Sequence, residues 1–169
     1  MMKEFIEAEI WLLTIGGGFQ RAKVYINGAT AKERSEFRNK LHSEVIRIAA
    51  EYKNVVGEAR HIDNIIQISK IKHSALNNGS MNFGVSQKIL NLYLKYLWCL
   101  EEIPTPPHFP VDRIIQIELK YKPLVNWTQM KNREKYLQII EHAKKKAKTE
   151  NTSIADLELA LFKRNSQSV

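Results

Sequence analysis

Residues 85–101 of the chain read VSQKILNLYLKYLWCLE. Apolar side chains recur in this stretch at intervals of three and four residues, which is the periodicity of an α-helix. They cover a broad face, so they predict a helix with a central position in the fold. The members of this face are Val85, Ile89, Leu92, Tyr93, Tyr96, Leu97 and Leu100. The stretch therefore predicts a mostly α-helical protein built around this helix.

Two helices are predicted directly before the central one. Thr30 and Glu33 have the spacing of a capping box, in which each side chain accepts a hydrogen bond from the backbone N–H of the other residue. The helix behind this box has a core stripe made of Phe37, Leu41, Val45, Ile48 and Tyr52. The next helix is expected from Glu58 to about His73, before the turn signal Asn77-Asn78-Gly79-Ser80.

The N-terminal segment predicts a short helix followed by extended chain. Residues 3–14 have an amphipathic helical pattern, and we expect Gly16, Gly17 and Gly18 to end the helix. Residues 19–26 favour an extended conformation, with room for one strand, before a turn at Asn27-Gly28. At most one small β element is therefore expected.

The chain after the central helix begins with a stiff loop at residues 104–110, where four prolines remove backbone donors. Residues 111–121 fit two structures. As a helix, the segment has Asp112 as a good N-cap. As a strand, it alternates apolar and polar residues. We favour the helix, because the rest of the sequence is helical in pattern.

Two more helices complete the prediction. One is capped by Asn126 and Gln129 and runs to about Lys148, and the last runs from Ser153 to near Lys163. The sequence thus predicts a single helical domain over residues 1–165 with six or seven helices. Residues 166–169 are expected to form a frayed tail.

Composition limits the classes of function. The 169 residues carry 26 lysines and arginines against 18 acidic residues, a net charge of +8 that favours an anionic partner. The single cysteine, Cys99, excludes an intramolecular disulfide and fits a reducing cytoplasm. The histidines lack the spacing of metal ligands, and no apolar run reaches the roughly 18 residues of a membrane span. We therefore expect a cytoplasmic protein without metal or membrane attachment.

One order of motifs resembles a known superfamily. A helix is followed by a polar turn with Gly79 and Gly84, a helix beginning Ser86-Gln87-Lys88, the proline loop, and then Pro110-Val111-Asp112-Arg113. This order resembles the helix-hairpin-helix DNA glycosylases and AP lyases, and most closely their archaeal oxidised-guanine branch. The resemblance covers roughly residues 60–120 and implies a helix-hairpin-helix element.

The resemblance implies a catalytic pair. A bifunctional glycosylase needs an uncharged amine to attack the sugar and a carboxylate to stabilise the positive charge that develops there. Lys88 and Asp112 are the residues that match. We expect Lys88 in the first turn of its helix, where the helix dipole and burial both favour the neutral amine. No cofactor is implied.

The resemblance also implies contacts with duplex DNA. The segment from Asn77 to Gly84 would direct backbone amides at a phosphate. The expected DNA-contacting residues are Asn78, Gly79, Gly84, Gln87, Arg113, Lys144 and Lys145. An extruded base would need a flat side chain beside it, and the candidates for this pocket are Trp98, Phe109 and Trp127, with Tyr93 a further possibility.

Two other functions stay open. If residues 113–121 form a strand, then Asp112, Glu118 and Lys120 resemble the catalytic set of Mg²⁺-dependent nucleases. Alternatively, the chain is a non-catalytic module that binds nucleic acid or protein, with Lys88 and Asp112 as ordinary polar residues at helix starts. Residues 131–150 carry seven basic and three acidic side chains, a net charge of +4 that suits phosphate binding or a solvated helix end.

Overall fold

A computed structural model describes residues 1–162, and the predicted tail at residues 166–169 lies outside this range. The described part contains seven α-helices and no β-strand, so the mostly α-helical class and the helix number are confirmed. The helices are α1 (Met2–Phe19), α2 (Ala31–Ala49), α3 (Glu58–Ser69), α4 (Phe83–Cys99), α5 (Arg113–Glu118), α6 (Glu134–Thr149) and α7 (Ile154–Leu161). Short 3₁₀ turns occur at Ala50–Lys53, Asn77–Gly79 and Trp127–Gln129. None of the described helices has the length and apolarity needed to cross a bilayer.

Helix α4 lies at the centre of the fold, as the sequence predicts. Every residue from Phe83 to Lys95 is buried, including the polar ones. Helices α1 and α3 pack along its length, and the turn at Trp127–Gln129 packs against its first turn. The polar side chains of a helix that is covered on all sides need hydrogen-bond partners inside the protein. The candidate site is built from such partners.

Helix α1 continues through Gly16, Gly17 and Gly18, so the predicted helix end at these residues is wrong. The reason is tertiary packing. A Cβ atom at Gly17 would lie 2.7 Å from Leu92 Cδ1, and one at Gly18 would overlap Ile89 Cδ1. The absence of side chains therefore brings α1 close to α4, and this packing outweighs the low helix propensity of glycine.

The predicted extended segment forms no strand. Tyr25 makes only an isolated antiparallel bridge with Leu76. The turn at Asn27-Gly28 is present, and Gly28 has a φ of +88°, which favours glycine there. Because a strand needs a partner of several residues, the short facing segment at residues 75–77 limits the pairing to this bridge.

The capping signals before α2 and α7 are confirmed. Thr30 Oγ1 accepts from the Glu33 backbone N–H, and Glu33 Oε2 accepts from the Thr30 N–H, which completes the capping box. Ser153 Oγ accepts from the Asp156 N–H in the same way. The five residues of the α2 core stripe, from Phe37 to Tyr52, are all at most 2% exposed.

Residues 113–118 are helical, so the strand alternative for residues 111–121 is wrong. Asp112 caps α5 by accepting a 2.9 Å hydrogen bond from the Ile115 N–H. The start predicted for α6 is also wrong, because Asn126 caps the 3₁₀ turn and α6 begins only at Glu134. The turn is held against α4, since Asn82 Nδ2 donates to the Thr128 carbonyl at 2.6 Å.

Candidate active site at Lys88 and Asp112

The structure brings Lys88 and Asp112 into direct contact. Lys88 Nζ donates a 2.5 Å hydrogen bond to Asp112 Oδ2, although the residues are 24 positions apart. The other carboxylate oxygen, Oδ1, accepts the capping bond from the Ile115 N–H. The Lys88 side chain is 8% exposed and the Asp112 side chain 23% exposed. A buried amine therefore lies beside a carboxylate that solvent can reach.

Lys88 lies one turn deeper in α4 than predicted. The helix begins at Phe83 rather than Val85, because Asn82 acts as the N-cap and accepts from the Val85 N–H at 2.9 Å. Lys88 is thus the sixth helical residue, and it lies in the second turn. Since the helix dipole acts mainly on the first turn, the dipole contributes less at this amine than expected.

Trp127 covers the amine from another side. The Lys88 Nζ lies 5.7 Å from the centroid of the Trp127 ring, within the range of a cation–π interaction. Gly84 makes this contact possible, because a Cβ at this position would overlap the Trp127 carbonyl oxygen. The amide of Gly84 donates to the Met130 carbonyl at 3.0 Å, which fastens the same turn. Lys88 is therefore enclosed by Asp112 and an aromatic face.

The resemblance led us to expect that Gln87 and Gly84 contact DNA. In the structure, the polar groups of both residues are instead bonded inside the protein. Gln87 is fully buried, and both ends of its amide are bonded to the backbone of Val111. Gly84 is also buried, and its N–H is already bonded to Met130. In this conformation neither residue has a polar group free for DNA, because α4 begins earlier than expected and is covered from its first turn.

The other predicted DNA contacts differ in their availability. Asn78 and Gly79 lie in an exposed turn with positive φ values of 63° and 71°. Arg113 and Lys145 are exposed. Lys144, in contrast, binds the carboxylates of Glu58 at 2.8 Å and Glu141 at 2.6 Å, so its charge is neutralised locally. Only the exposed residues are free to contact a phosphate in this conformation.

The three base-pocket candidates lie in different places. Trp127 is beside Lys88, as described above. Phe109 is a core residue that is 2% exposed. Trp98 follows Lys88 by ten residues, about 15 Å along the helix, and it lines an open surface depression of about 470 Å³ with Lys53. Only Trp127 among these three is brought to the candidate site.

A buried hydrogen-bond network connects the site to α3 and α6. His108 Nε2 donates to Glu58 Oε1 at 2.8 Å, so Nδ1 of the neutral ring accepts from the Tyr136 hydroxyl at 2.9 Å. Asn91 Nδ2 in turn donates to the Tyr136 hydroxyl at 3.0 Å and to Gln87 Oε1 at 3.2 Å. No sequence pattern indicates this network, because its members are spread over four segments.

Burial sets the protonation of this network. It lowers the pKa of His108 to about 4, although the hydrogen bond to Glu58 opposes the shift. Burial, with a smaller contribution from His108, holds the pKa of His61 well below its usual range. The hydrogen bond from Lys144 lowers the pKa of Glu58, and His108 adds to this effect. Both imidazoles are therefore neutral near pH 7.

A second lysine–carboxylate pair on α4 was also missed. Lys95 Nζ donates to both oxygens of Glu158 at 2.7 and 2.9 Å, and it lies 4.0 Å from the Phe162 ring centroid. Burial raises the pKa of Glu158, although the Lys95 ammonium lowers it. The available signal was the seven-residue interval between Lys88 and Lys95, which places both lysines on one helix face.

The arrangement required for a Mg²⁺-dependent nuclease is not formed. Asp112 is committed to Lys88 and to the α5 cap, whereas Glu118 lies at the other end of α5. Among residues 1–162, no three His, Cys, Asp or Glu side chains lie close enough to hold a metal ion.

Comparison with protein-family models, curated proteins and solved structures finds no significant match to the chain.

Proposed function

We propose that this protein binds duplex DNA and removes a damaged base through a Schiff base formed by Lys88, with Asp112 as the charge-stabilising carboxylate. The observation that carries the proposal is the 2.5 Å contact between Lys88 Nζ and Asp112 Oδ2. The resemblance implies the same two residues from sequence motifs alone. Their contact gives the nucleophile and the carboxylate the proximity that this chemistry needs.

The proposed reaction assigns each group one role. The Lys88 ammonium gives a proton to the departing base, and the resulting neutral amine bonds to C1′ of the deoxyribose while the bond from C1′ to the base breaks. The base leaves with that bond's electron pair. The bound nitrogen then releases one proton, and its electron pair forms the C1′=N bond as the C1′–O4′ bond breaks. O4′ takes up the released proton, the sugar ring is open, and the product is the protonated imine. Asp112 stabilises the positive charge at C1′ and on the bound nitrogen.

The substrate has to replace the resting contact. The nucleotide approaches from the side of Asp112, which is the more exposed partner. Trp127, whose ring lies over Lys88 and is 5% exposed, is the proposed stacking surface for an extruded base once the residues that cover it move aside. Arg113 follows Asp112 directly and is exposed, so it is placed to bind an adjacent phosphate.

The test is borohydride trapping with duplexes that contain an oxidised guanine, uracil or an abasic site. We expect the parent protein to form a covalent adduct with at least one duplex and Lys88→Gln to form none. The matched control is Lys95→Gln, because Lys95 is a lysine of similar burial on the same helix face. Absence of an adduct with the parent, or equal trapping by Lys88→Gln, would refute the proposal.

A non-catalytic nucleic-acid module is the second candidate, and one observation favours it. Five basic residues in and before α6 are exposed, and none of the ion pairs among residues 1–162 involves them. These residues are Lys131, Arg133, Lys135, Lys145 and Lys148. Salt-sensitive binding to duplexes without any trapped adduct or released base would support this candidate.

A further inference from the structure

Two buried glutamines hold the backbone on either side of Asp112. Gln87 Nε2 donates to the Val111 carbonyl at 2.7 Å, and Gln87 Oε1 accepts from the Val111 N–H at 3.1 Å. Gln116 Nε2 donates to the Asp112 carbonyl and to the Val125 carbonyl, both at 3.0 Å. Both glutamine side chains belong to fully buried residues. Two side-chain amides, one from α4 and one from α5, thus bind the backbone of the short Val111–Asp112 segment.

These hydrogen bonds fix the orientation of the Asp112 carboxylate. The Val111 carbonyl belongs to the peptide group that precedes Asp112, and the Asp112 carbonyl belongs to the one that follows it. Since peptide groups are planar, fixing both carbonyls leaves the Asp112 side chain few directions. One of these directions places Oδ1 on the Ile115 N–H and Oδ2 on Lys88.

Gln87 is itself held in place from the far side. Its Oε1 accepts a second hydrogen bond from Asn91, which continues to Tyr136, His108 and Glu58. The Gln87 amide has a single orientation, because in the flipped form its NH2 group would face the Val111 N–H and the Asn91 NH2 group, which are also donors. The rigidity of this network therefore reaches the Val111–Asp112 peptide.

We infer that Gln87 and Gln116 are positioning residues, which hold the Val111–Asp112 backbone so that Asp112 meets Lys88 in a reactive geometry. The inference rests on the proposed function and deepens it. A carboxylate displaced by about 1 Å loses much of its effect on a developing charge, with a cost of roughly tenfold to a hundredfold in rate. Neither glutamine has to touch the substrate.

The experiment compares Gln87→Met and Gln116→Met with Asn77→Ala. Methionine keeps the size of glutamine but removes the amide. Asn77 is the matched control, because its amide also donates to two backbone carbonyls, at Lys23 and Tyr25, in a different part of the molecule. The first readout is the single-turnover trapping rate at saturating DNA, measured together with the DNA affinity.

The second readout does not depend on activity. NMR detects lysine ammonium protons only when a partner shields them from exchange with water, and Lys88→Gln assigns the Lys88 signal. We expect Gln87→Met to lose this signal and to keep that of Lys95, with trapping slowed about tenfold or more and DNA affinity unchanged within about twofold. Asn77→Ala should retain both signals and the parent rate.

The outcomes separate this inference from the proposed function. Gln87→Met and Gln116→Met proteins with the Lys88 signal and the parent rate would overturn the inference, and so would an equal loss in Asn77→Ala. If the parent forms no adduct, the proposed function fails, while selective loss of the Lys88 signal would still support positioning by Gln87. If Gln87→Met does not fold, Gln87→Glu replaces it. The protonated carboxyl of the Gln87→Glu side chain can donate to the Val111 carbonyl. The Lys88 ammonium signal and the trapping rate of this variant should therefore approach those of the parent as the pH falls.

Discussion

Lys88 and Lys95 lie two turns apart on one face of α4, and each binds a carboxylate from another segment, yet the two ion pairs are built differently. Glu158 uses both oxygens on Lys95, and the pair is closed, with side chains 9% and 6% exposed. Asp112 gives one oxygen to Lys88 and the other to the α5 cap, and its side chain is 23% exposed. The first pair can only hold the fold together, whereas the second can exchange a partner.

The difference shows that a buried lysine is not sufficient to indicate a reactive site. A closed pair satisfies every polar atom internally and has no surface where a substrate could enter. An open pair has a carboxylate that solvent reaches and, here, an aromatic ring beside the amine. The distinction can be tested by mutating corresponding members of the two pairs.

The largest expected effect is on stability at the closed pair. Lys95→Met leaves the Glu158 carboxylate buried without a partner, which should lower the free energy of unfolding by about 3–5 kcal/mol. Lys88→Met should cost about 1–2 kcal/mol, because water reaches Asp112 and its cap bond remains. Urea unfolding at pH 7 measures both. The double variant Lys95→Met, Glu158→Leu should recover most of the loss, and equal losses for the two lysine variants would contradict the comparison.

The second prediction concerns pH and the network behind the open pair. Burial lowers the pKa of His108 to about 4, so its contribution to stability is complete above pH 6.5 and is lost as the pH falls towards 4. The expected loss is about 3 kcal/mol from this group. The neutral His61 ring, which lies edge-on to His108 with 4.8 Å between the ring centroids, acts in the same direction.

The closed pair should respond to pH in the opposite sense. The pKa of Glu158 is raised by burial, so its contribution is present at low pH and is lost as the pH rises through that pKa. Unfolding by urea between pH 4 and 7 gives both slopes. His108→Asn should flatten the acid decline and Glu158→Gln should leave it in place. An unchanged acid decline in His108→Asn would rule out this assignment.

The third prediction compares the two carboxylates in catalysis. Asp112→Asn should slow trapping by about a hundredfold, since it removes the negative charge that stabilises the developing cation. Glu158→Gln should leave the rate per folded molecule unchanged, because the closed pair has no route to the substrate. Single-turnover trapping, corrected for the folded fraction by circular dichroism, measures both rates. Similar rates for the two variants would remove the catalytic role from Asp112.

The smallest expected effect is on DNA affinity at the two ends of α4. Arg113→Ala, next to the open pair, should reduce the slope of log K against log salt by about one. Lys53→Ala is the matched control, because Lys53 is exposed and lies with Trp98 near the other end of α4. Fluorescence anisotropy at several salt concentrations gives both slopes. Equal slopes for the parent and Arg113→Ala would place the DNA elsewhere.

The elements that the sequence predicts well are those with local signals. The α2 capping box, the α2 core stripe and the α5 cap at Asp112 depend on residues within one or two turns, and all are present. The predicted end of α1 is wrong for the opposite reason. Whether Gly18 ends a helix or lets another helix approach depends on Ile89, which is remote in sequence.

The candidate site divides in the same way. Lys88 and Asp112 could be named because short motifs carry them, but no spacing rule predicts their contact. The resemblance implies that Gln87 contacts DNA. Its actual partner, Val111, is 24 residues away, and only the folded backbone brings it within reach. Buried polar partners of this kind are not visible in a single sequence.

The glycines of α1 also bear on how the chain is synthesised. Helix α1 leaves the ribosome before α4, and its docking surface at Ile89 and Leu92 follows about seventy residues later. At roughly 5–20 residues per second, several seconds pass before α4 emerges. Because three glycines lower the intrinsic helicity of α1, we expect this segment to wait as an apolar, unstructured chain. Helix α1 is thus made before its partner helix but cannot dock until that partner emerges, and its apolar residues need protection during this interval.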